Sequence, residues 1–319
     1  MLDILVERLR QKKRTVPFPG ALPALPLRFR GRPFIDASSC IRAAGGDCAA
    51  CAKACPTEAV HMEDRGPALD MGACTFCGAC AAACPAASLV FTTDWRLAST
   101  ERAALFIRPL PAEAHVVHDP MGRDKAMAGA AVVQSFPPRP ERTFVLPELP
   151  LAPTREAAGA FARSCRLRQV TAAGCGACEA DLNVLGTVVF DIARFGLDFV
   201  ASPRHADAMV LTGPVPRNMR EATLKCLAAM PEPKLIMAVG ACAISGGLFR
   251  SLPDEGQEEG DSAFPGRPQR QNPQRAEGAL PHMGVGLFIP GCPPHPYTSL
   301  DGFLRFIGRT TPSSARLSP

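Results

Sequence analysis

Residues 74–85 read CTFCGACAAACP, and the spacing of the cysteines in this stretch decides how the first third of the chain folds. The spacing is Cys-x2-Cys-x2-Cys-x3-Cys, and a proline follows the last cysteine. The four residues are Cys74, Cys77, Cys80 and Cys84. In such a run the first three thiolates hold one 4Fe-4S cube and the fourth reaches a second cube. A further set of thiolates is therefore expected elsewhere in the chain.

That further set lies upstream, where residues 48–56 read CAACAKACP. Cys40 precedes this stretch and supplies the remaining thiolate across seven residues, where two are usual. The cysteine before each proline is expected to cross to the other cube. The predicted sets are Cys40, Cys48, Cys51 and Cys84 for cluster one, and Cys55, Cys74, Cys77 and Cys80 for cluster two. If Cys40 does not ligate, cluster one would be a three-iron form.

The two cysteine runs also read as a repeat. CAKACPTEAVHM (51–62) aligns with CAAACPAASLVF (80–91), and each predicts a short helix after its proline and then an apolar strand. Zinc is the alternative, since Cys-x2-Cys pairs also build zinc ribbons. Two Cys-Pro endings in phase with a repeat favour iron. We therefore predict an α+β two-cluster bacterial ferredoxin domain over residues 36–94.

Composition allows a second domain beside this one. The chain has 319 residues, of which 47% are hydrophobic, and no apolar stretch has the length of a membrane-spanning helix. Charges interrupt the apolar residues of the N-terminal stretch MLDILVERLRQKKR, so we expect no secretory signal. Fourteen cysteines in such a chain point to a reducing compartment, where thiols serve metals instead of disulfides.

Positive charge is concentrated in a basic N-terminal arm, residues 1–35. Residues 1–32 contain eight basic and two acidic side chains, although the whole chain has a net charge of only +5. The remainder is near neutral, so nucleic acid is not an expected partner. Leu2, Leu5 and Leu9 share one face of a short helix, which suits an anionic membrane surface or an acidic partner subunit. A solvated arm is the alternative.

Residues 95–165 are rich in proline and lack periodicity, which predicts a linker with extended segments lying over both domains. From residue 166 onward, apolar runs alternate with helical segments at 179–195, 217–230 and 298–308. The apolar runs are LRQVTA, LDFVAS, DAMVLTG, KLIMAVG and GVGLFIPG. This alternation predicts an α/β, flavodoxin-like domain with a parallel sheet over residues 166–310.

Four of the remaining cysteines follow these strands. They are Cys175, Cys178, Cys242 and Cys292. The carboxyl ends of parallel strands form the edge where open α/β sheets bind ligands, so we expect a third 4Fe-4S cluster there. The glycines around these cysteines permit tight turns and a close approach of backbone N–H groups. Cys165 and Cys226 have no such setting and are interpreted as small buried hydrophobic residues.

These stretches resemble two components of known complexes fused in one chain. FRGRPFIDASSC (29–40), with the two cysteine runs, resembles the two-cluster ferredoxin subunit of complex I and of formate hydrogenlyase-type hydrogenases. The second domain resembles the small subunit of group 4 NiFe hydrogenases and its counterpart in complex I, the B subunit. Its matching stretches are GCGACEADLN, FVASPRHADAMVLTGPVPRNMREA, AVGACAISGG and IPGCPPHP.

The resemblance implies an electron-transfer subunit with three 4Fe-4S clusters. It would belong to a membrane-associated, formate hydrogenlyase-like complex at the cytoplasmic face of the inner membrane. The expected partners are a large subunit, similar to the 49 kDa subunit of complex I, that carries the catalytic nickel and iron, and further subunits, membrane subunits among them. No catalytic residue is assigned to this chain. Loops around Arg204, His205 and residues 214–218 are expected to face the large subunit.

Two alternatives stay open. One is the equivalent subunit of a complex I-like NADH/quinone oxidoreductase or of a nickel-free relative. Complex I members carry adjacent cysteines where this chain has Cys175-Gly-Ala-Cys178, which favours the hydrogenase hypothesis. The other is a free ferredoxin-like carrier with an appended structural domain. No dinucleotide fingerprint or Walker loop supports direct nucleotide binding.

The chain departs from the hydrogenase pattern at two places. Hydrogenase relatives place Glu three residues after the second cysteine, whereas this chain has Asp181 there and Glu179 two positions earlier. A polar insert at residues 251–283 replaces a compact hydrophobic loop, and we expect it to be disordered or to contact a subunit. Near Cys292, His295 and Tyr297 are expected either to tune the cluster or to pack.

Overall fold

A computed structural model of the chain describes most of the molecule. The described residues are 2–19, 25–26, 28–110, 116–117, 131–133, 135–136, 143–146, 148–152, 159–249 and 283–309. The polar insert predicted at residues 251–283 lies outside this part of the chain except for Met283.

The N-terminal half is built from short strands and very short helices. After helix α1 (Leu2–Gln11), its helices are α2 (Ala50–Lys53) and α3 (Ala79–Ala82). Its strands are β1 (Pro33–Ile35), β2 (Val60–Glu63), β3 (Gly66–Asp70), β4 (Leu89–Thr92) and β5 (Phe106–Ile107). They are followed by β6 (Val116–Val117), β7 (Ala131–Val133), β8 (Ser135–Phe136) and β9 (Thr143–Leu146). The strand orders are β1-β4-β8, β2-β3-β5 and β6-β9-β7, and every pairing is antiparallel.

The predicted repeat is present in the ferredoxin-like part, but its two helices lie before the prolines, whereas the sequence placed them after the prolines. Helix α2 ends two residues before Cys55-Pro56 and α3 ends two residues before Cys84-Pro85. Proline fixes its own φ, removes an N–H donor and disfavours a helical residue before it, so each helix stops at this point. The chain then enters β2 after the first helix and β4 after the second.

The C-terminal half is a five-stranded parallel sheet, as predicted. Its strands are β10 (Cys165–Thr171), β11 (Leu197–Phe199), β12 (Ala208–Thr212), β13 (Leu235–Val239) and β14 (Leu287–Ile289). Their order is β11-β10-β12-β13-β14, and every pair is parallel. This is the 2-1-3-4-5 order of flavodoxin-like sheets, whose topological switch point lies between the first and third strands, here β10 and β12.

In the part of the C-terminal half that the structure describes, four α-helices accompany this sheet. They are α4 (Ala177–Val184), α5 (Arg217–Ala228), α6 (Ala241–Ser245) and α7 (Pro296–Phe306). The predicted helix at 179–195 is shorter than expected, because α4 gives way to turns and only one 3-10 turn, Ile192–Phe195, follows. Helix α6 was not predicted; all five of its residues are buried, so it shows no amphipathic period. Within the described residues, no helix is long and apolar enough to span a bilayer.

The two halves share a packed core. All residues of β12 and β13 are buried, as expected for strands covered on both faces. Ile244 of α6 joins the hydrophobic cluster of the ferredoxin-like part. A Cβ added to Gly72 would lie 2.6 Å from Ile244, so the cysteine run and α6 are in direct contact.

The N-terminal arm and the predicted linker contribute to this packing. Val16 donates its N–H to the carbonyl of Val189 at 2.8 Å, and the ring of Phe18 is buried against Trp95. Strand β5 pairs with β3, and Ser99 bridges Phe288 of β14. Residues 95–107 are therefore built into the cores instead of lying over them. Within the arm, Val16 and Phe18 are likewise packed against the rest of the molecule, whereas Lys12, Lys13 and Arg14 are exposed.

A partly buried ion pair ties β3 to the 3-10 turn Arg102–Leu105. Arg102 donates to both carboxylate oxygens of Asp70, at 2.8 and 2.6 Å, and Gly72 donates its N–H to the same carboxylate at 2.8 Å. Asp70 is only 4% exposed. A second bidentate pair, Arg108 with Glu63, lies at the surface of the same sheet.

Replacing Asp70 with alanine is expected to lower the free energy of unfolding by on the order of 3 kcal/mol, because Arg102 and the Gly72 N–H lose a buried partner. Glu63→Ala is the matched control, with an expected loss below about 1 kcal/mol because its pair is exposed. Urea titration of the anaerobically purified chain, followed by circular dichroism, measures both. Equal losses would contradict a special role for the buried pair.

Candidate metal centres

The first predicted set of thiols lines one cavity of about 350 Å³. Its lining includes all four members, Cys40, Cys48, Cys51 and Cys84. Burial raises the pKa of Cys51 to about 11, and the charges of the other three thiols add to the effect. The structure therefore brings this set together, the crossing cysteine included.

The long gap after Cys40 is folded into a compact turn. Asp36 accepts hydrogen bonds from the Ser38 N–H at 2.9 Å and from the Cys40 N–H, through its carbonyl, at 3.1 Å. The Gly46 N–H then donates to the Ile41 carbonyl at 2.8 Å. These bonds turn the inserted residues back on themselves, so Cys40 faces the same cavity as Cys48 despite the insertion.

The second predicted set also converges. Burial raises the pKa of Cys80 to about 12, and the charges of Cys55 and Cys77 are the next causes. Burial likewise raises the pKa of Cys74, against the effect of a hydrogen bond from the Phe76 N–H to its sulfur at 3.2 Å. Cys55 acts electrostatically on both, so it lies with this set, as the crossing rule predicts.

The two crossing cysteines have equivalent hydrogen bonds, four residues downstream. Ala59 donates its N–H to the Cys55 sulfur at 3.2 Å, and Ser88 donates its N–H to the Cys84 sulfur at 3.3 Å. The Ser88 hydroxyl is a further 3.2 Å partner of Cys84. Although burial opposes ionisation, hydrogen bonds from the Ser88 hydroxyl and from backbone N–H groups lower the pKa of Cys84. Cys84 therefore ionises to a thiolate more readily than an ordinary cysteine.

The third predicted set gathers at the carboxyl edge of the parallel sheet. Its members are Cys175, Cys178, Cys242 and Cys292, which follow β10, β13 and β14. Burial raises the pKa of Cys178, and the charge of Glu179 raises it further. The charges of the other three thiols in the set make smaller contributions in the same direction. Burial, then Cys292 and Cys175, raises the pKa of Cys242 to about 11.

Glycines make this third set sterically feasible. Gly240 has φ +90°, and a Cβ there would lie 2.5 Å from the Cys178 sulfur. Gly247 has φ +50°, and its Cβ would lie 3.1 Å from the Cys242 sulfur. Both positions require a conformation that side chains disfavour, and both let backbone approach sulfur closely.

The donor chemistry fits iron-sulfur clusters. Each set presents four thiols and no hard oxygen ligand, which is the preference of soft metals and Fe–S centres. Within the described residues, no three His, Cys, Asp or Glu side chains are close enough together to hold a single metal ion. Cys165 and Cys226 lie apart from the three sets. Cys165 is fully buried, and burial, with the charge of Asp207, raises its pKa to about 12.

Glu179, and not Asp181, is the acidic side chain beside the third set of thiols. The carboxylate of Glu179 accepts a hydrogen bond from the hydroxyl of buried Thr212 and acts on Cys178. Asp181 instead borders an open cavity, and burial raises its pKa. Helical spacing explains the difference, because residues 179 and 181 point in directions that differ by about 200°. Thr212 carried no sequence signal, since it lies at the end of a strand distant in the chain.

The remaining candidates near Cys292 have a structural role. His295 is the N-cap residue of α7, and its Nδ1 accepts the N–H of Tyr297 at 3.2 Å. The two rings stack with centroids 5.4 Å apart, and burial lowers the pKa of His295. Arg204 and His205 lie in a 3-10 turn and are partly to largely exposed. Within residues 214–218, Val215 is buried, Pro214 and Pro216 are half-buried, and Asn218 is exposed.

Cys77 of the second set and Cys292 of the third set border the same open cavity, of about 840 Å³. Arg28, Phe29 and Arg30 of the N-terminal arm also line it. Sequence reasoning missed these arm residues, because nothing local in the sequence relates them to either cysteine.

Replacing Gly240 with alanine is expected to displace the Cys178 thiol and to lower the iron bound per chain by up to about four atoms. Gly284→Ala is the matched control: Gly284 has φ +64°, but no atom lies within 4 Å of an added Cβ. Iron analysis of both anaerobically purified variants measures the effect. Equal iron in G240A and wild type would show that glycine at this position is not required for iron binding.

Comparison with known proteins agrees with both halves of the fold. Residues 30–88 match the 4Fe-4S dicluster domain family, and residues 175–306 match the family described as NADH ubiquinone oxidoreductase, 20 Kd subunit. A solved structure, that of the membrane-bound sulfane sulfur reductase, an archaeal respiratory membrane complex, is 24% identical. The match covers 47% of this chain and 74% of the other chain, with a TM-score of 0.35.

Two curated relatives match the chain over 146 residues, 46% of its length. Formate hydrogenlyase subunit 7 of Escherichia coli (strain K12) is 35% identical, and the chain spans about half of it, 49%. The B subunit of NADH-quinone oxidoreductase from Desulfovibrio desulfuricans is 33% identical, with 68% of its length covered. With this similarity and a parallel sheet that carries the third set of thiols, the chain belongs to the NADH ubiquinone oxidoreductase 20 kDa subunit family, with a 4Fe-4S dicluster domain ahead of it.

Proposed function

We propose that this chain is the electron-transfer subunit of a membrane-associated oxidoreductase complex, with three 4Fe-4S clusters held by its three sets of thiols. The observation that carries the proposal is the convergence of twelve cysteines into three groups of four. When bound, such clusters supply one-electron transfer at potentials that the protein tunes. The chain itself contributes ligands, hydrogen bonds and spacing.

The arrangement supports a linear relay. Cys51 of the first set acts electrostatically on Cys80 of the second, so these two sets adjoin. Cys77 of the second set borders the same cavity as Cys292 of the third. The second set therefore lies between the other two, and electrons would pass along the series in either direction.

The backbone around the thiols adjusts their charge. N–H groups of Ala59, Phe76 and Ser88 point at sulfur atoms and stabilise the thiolate form. Such bonds also favour the more negative, reduced state of a centre that the thiolates hold. Ser88 adds its hydroxyl to Cys84, whereas the equivalent contact of Thr57 with Cys55 is longer, at 3.7 Å.

The favoured complex is a group 4 NiFe hydrogenase of the formate hydrogenlyase type. The Cys175-Gly-Ala-Cys178 spacing and the similarity to formate hydrogenlyase subunit 7 support it. The large subunit would carry nickel and iron, other partners would include membrane subunits, and the chain would lie peripherally on the cytoplasmic face of the inner membrane. The similarity to the B subunit of NADH-quinone oxidoreductase supports the second candidate, a complex I-like or nickel-free complex.

Nickel and iron analysis of the native complex separates these candidates. The complex would be purified anaerobically through a tag on this chain. The hydrogenase proposal predicts about one nickel and about thirteen iron atoms per copy, twelve from three cubes and one at the active site. Iron near about twelve without nickel, after controls for metal loss and maturation, would favour the nickel-free candidate.

Cys40 has a separate test. Cys40→Ala is expected to lower iron by about one to four atoms per chain, because the first cluster either becomes a three-iron form or is lost. Cys226→Ala is the control, since Cys226 lies outside the three sets and should leave iron unchanged. Iron per chain is measured on both purified variants. Unchanged iron in C40A would remove Cys40 from the ligand set.

A further inference from the structure

The N-terminal arm crosses the junction between the two halves of the molecule at residues 28–32. Gly31 donates its N–H to the Thr92 carbonyl at 2.7 Å, and Arg32 donates its N–H to the Asp94 carbonyl at 2.9 Å. A Cβ on Gly31 would lie 2.0 Å from the Asp94 oxygen, so this close approach requires glycine. These backbone contacts thus fix the segment from which the side chains of Phe29 and Arg30 extend.

The Arg30 side chain lies across the turn that carries Cys77. Its Nη1 donates to the Phe76 carbonyl at 3.2 Å, and its Nε lies 3.1 Å from the position of a Cβ on Gly78. Cys77 stands between residues of positive φ, Phe76 at +54° and Gly78 at +81°. A left-handed phenylalanine is costly and persists only where its surroundings hold it, and the Arg30 contact supplies part of that hold.

The neighbouring side chain, Phe29, contacts the loop that follows Cys292. Its ring meets the His295 ring edge-on, with centroids 5.5 Å apart and planes at 85°. His295 in turn stacks on Tyr297 and caps α7. Aromatic pairs in this geometry have a preferred orientation beyond simple burial, so Phe29 fixes the loop as well as covering it.

We infer that Phe29 and Arg30 are positioning residues that together hold the Cys77 loop and the Cys292 loop at one separation. Adjacent in sequence, they contact one loop each, and all these groups line the same cavity of about 840 Å³. The inference rests on the proposed function, because the separation matters if the second and third sets hold redox centres. Electron transfer slows steeply with distance, so these two residues would set the rate of exchange between the centres.

The test uses the purified complex with Arg30→Gln, Phe29→Ala and the control Arg28→Gln. Arg28 is exposed, borders the same cavity and loses the same charge. Hydrogen exchange read by mass spectrometry follows residues 75–78 and 291–297. Each test variant is expected to speed exchange in both loops by roughly three- to tenfold, as expected for the loss of one such contact. Arg28→Gln should match the wild type.

Electron paramagnetic resonance of the reduced complex gives the second readout. Both test variants should weaken the magnetic interaction between the two centres while iron per chain stays at the wild-type value. Exchange that speeds only in the loop each altered side chain touches, or in neither loop, would overturn the inference. If the wild-type complex lacks the clusters, the proposed function fails, and hydrogen exchange still decides whether the two loops are coupled.

Discussion

Four thiols that share one cavity repel one another when they ionise, and the surrounding structure depends on how that repulsion is met. Burial raises the pKa of Cys51, Cys80 and Cys242, so these thiols favour the neutral form in the chain by itself. A metal centre requires thiolates and compensates their charge, which couples metal binding to the packing of the loops. Hydrogen bonds to the sulfurs of Cys55 and Cys84 work in the same direction.

Close approach of the backbone to neighbouring side chains is the second requirement, both around the third set of thiols and between the two halves of the molecule. The third set needs glycine at 240 and 247, where any side chain would occupy the space of a sulfur. Gly72 similarly lets Ile244 of α6 contact the second cysteine run. Through such contacts the two halves are held together by a shared core and not by a linker.

The sequence predicted three sets of thiols, and the structure brings members of each set near one another. The Cys-Pro endings predicted which cysteine crosses, and the repeat predicted the strand after each run, but it placed each short helix after the proline, whereas α2 and α3 lie before it. Apolar runs located all five strands of the parallel sheet. The sequence did not predict α6, because this helix is buried on every side and has no amphipathic pattern. It also did not predict how the arm packs, because the composition of the arm indicated its charge but not the hydrogen bonds of Gly31 and Arg32. The sequence could not show which of Asp181 and Glu179 lies beside the thiols, because that depends on the position of Thr212.

The sequence by itself therefore determined the class of each half, and it supplied the proposal of three groups of four thiols, because cysteine spacing and apolar period are properties of short segments. Tertiary structure alone decided the strand order, the choice of Glu179 beside Cys178 and the meeting of Phe29 and Arg30 with two distant loops. These depend on contacts between residues far apart in the chain, such as Phe29 with His295. Such pairs form only when the whole core closes, since their energy lies in packing and not in any local pattern.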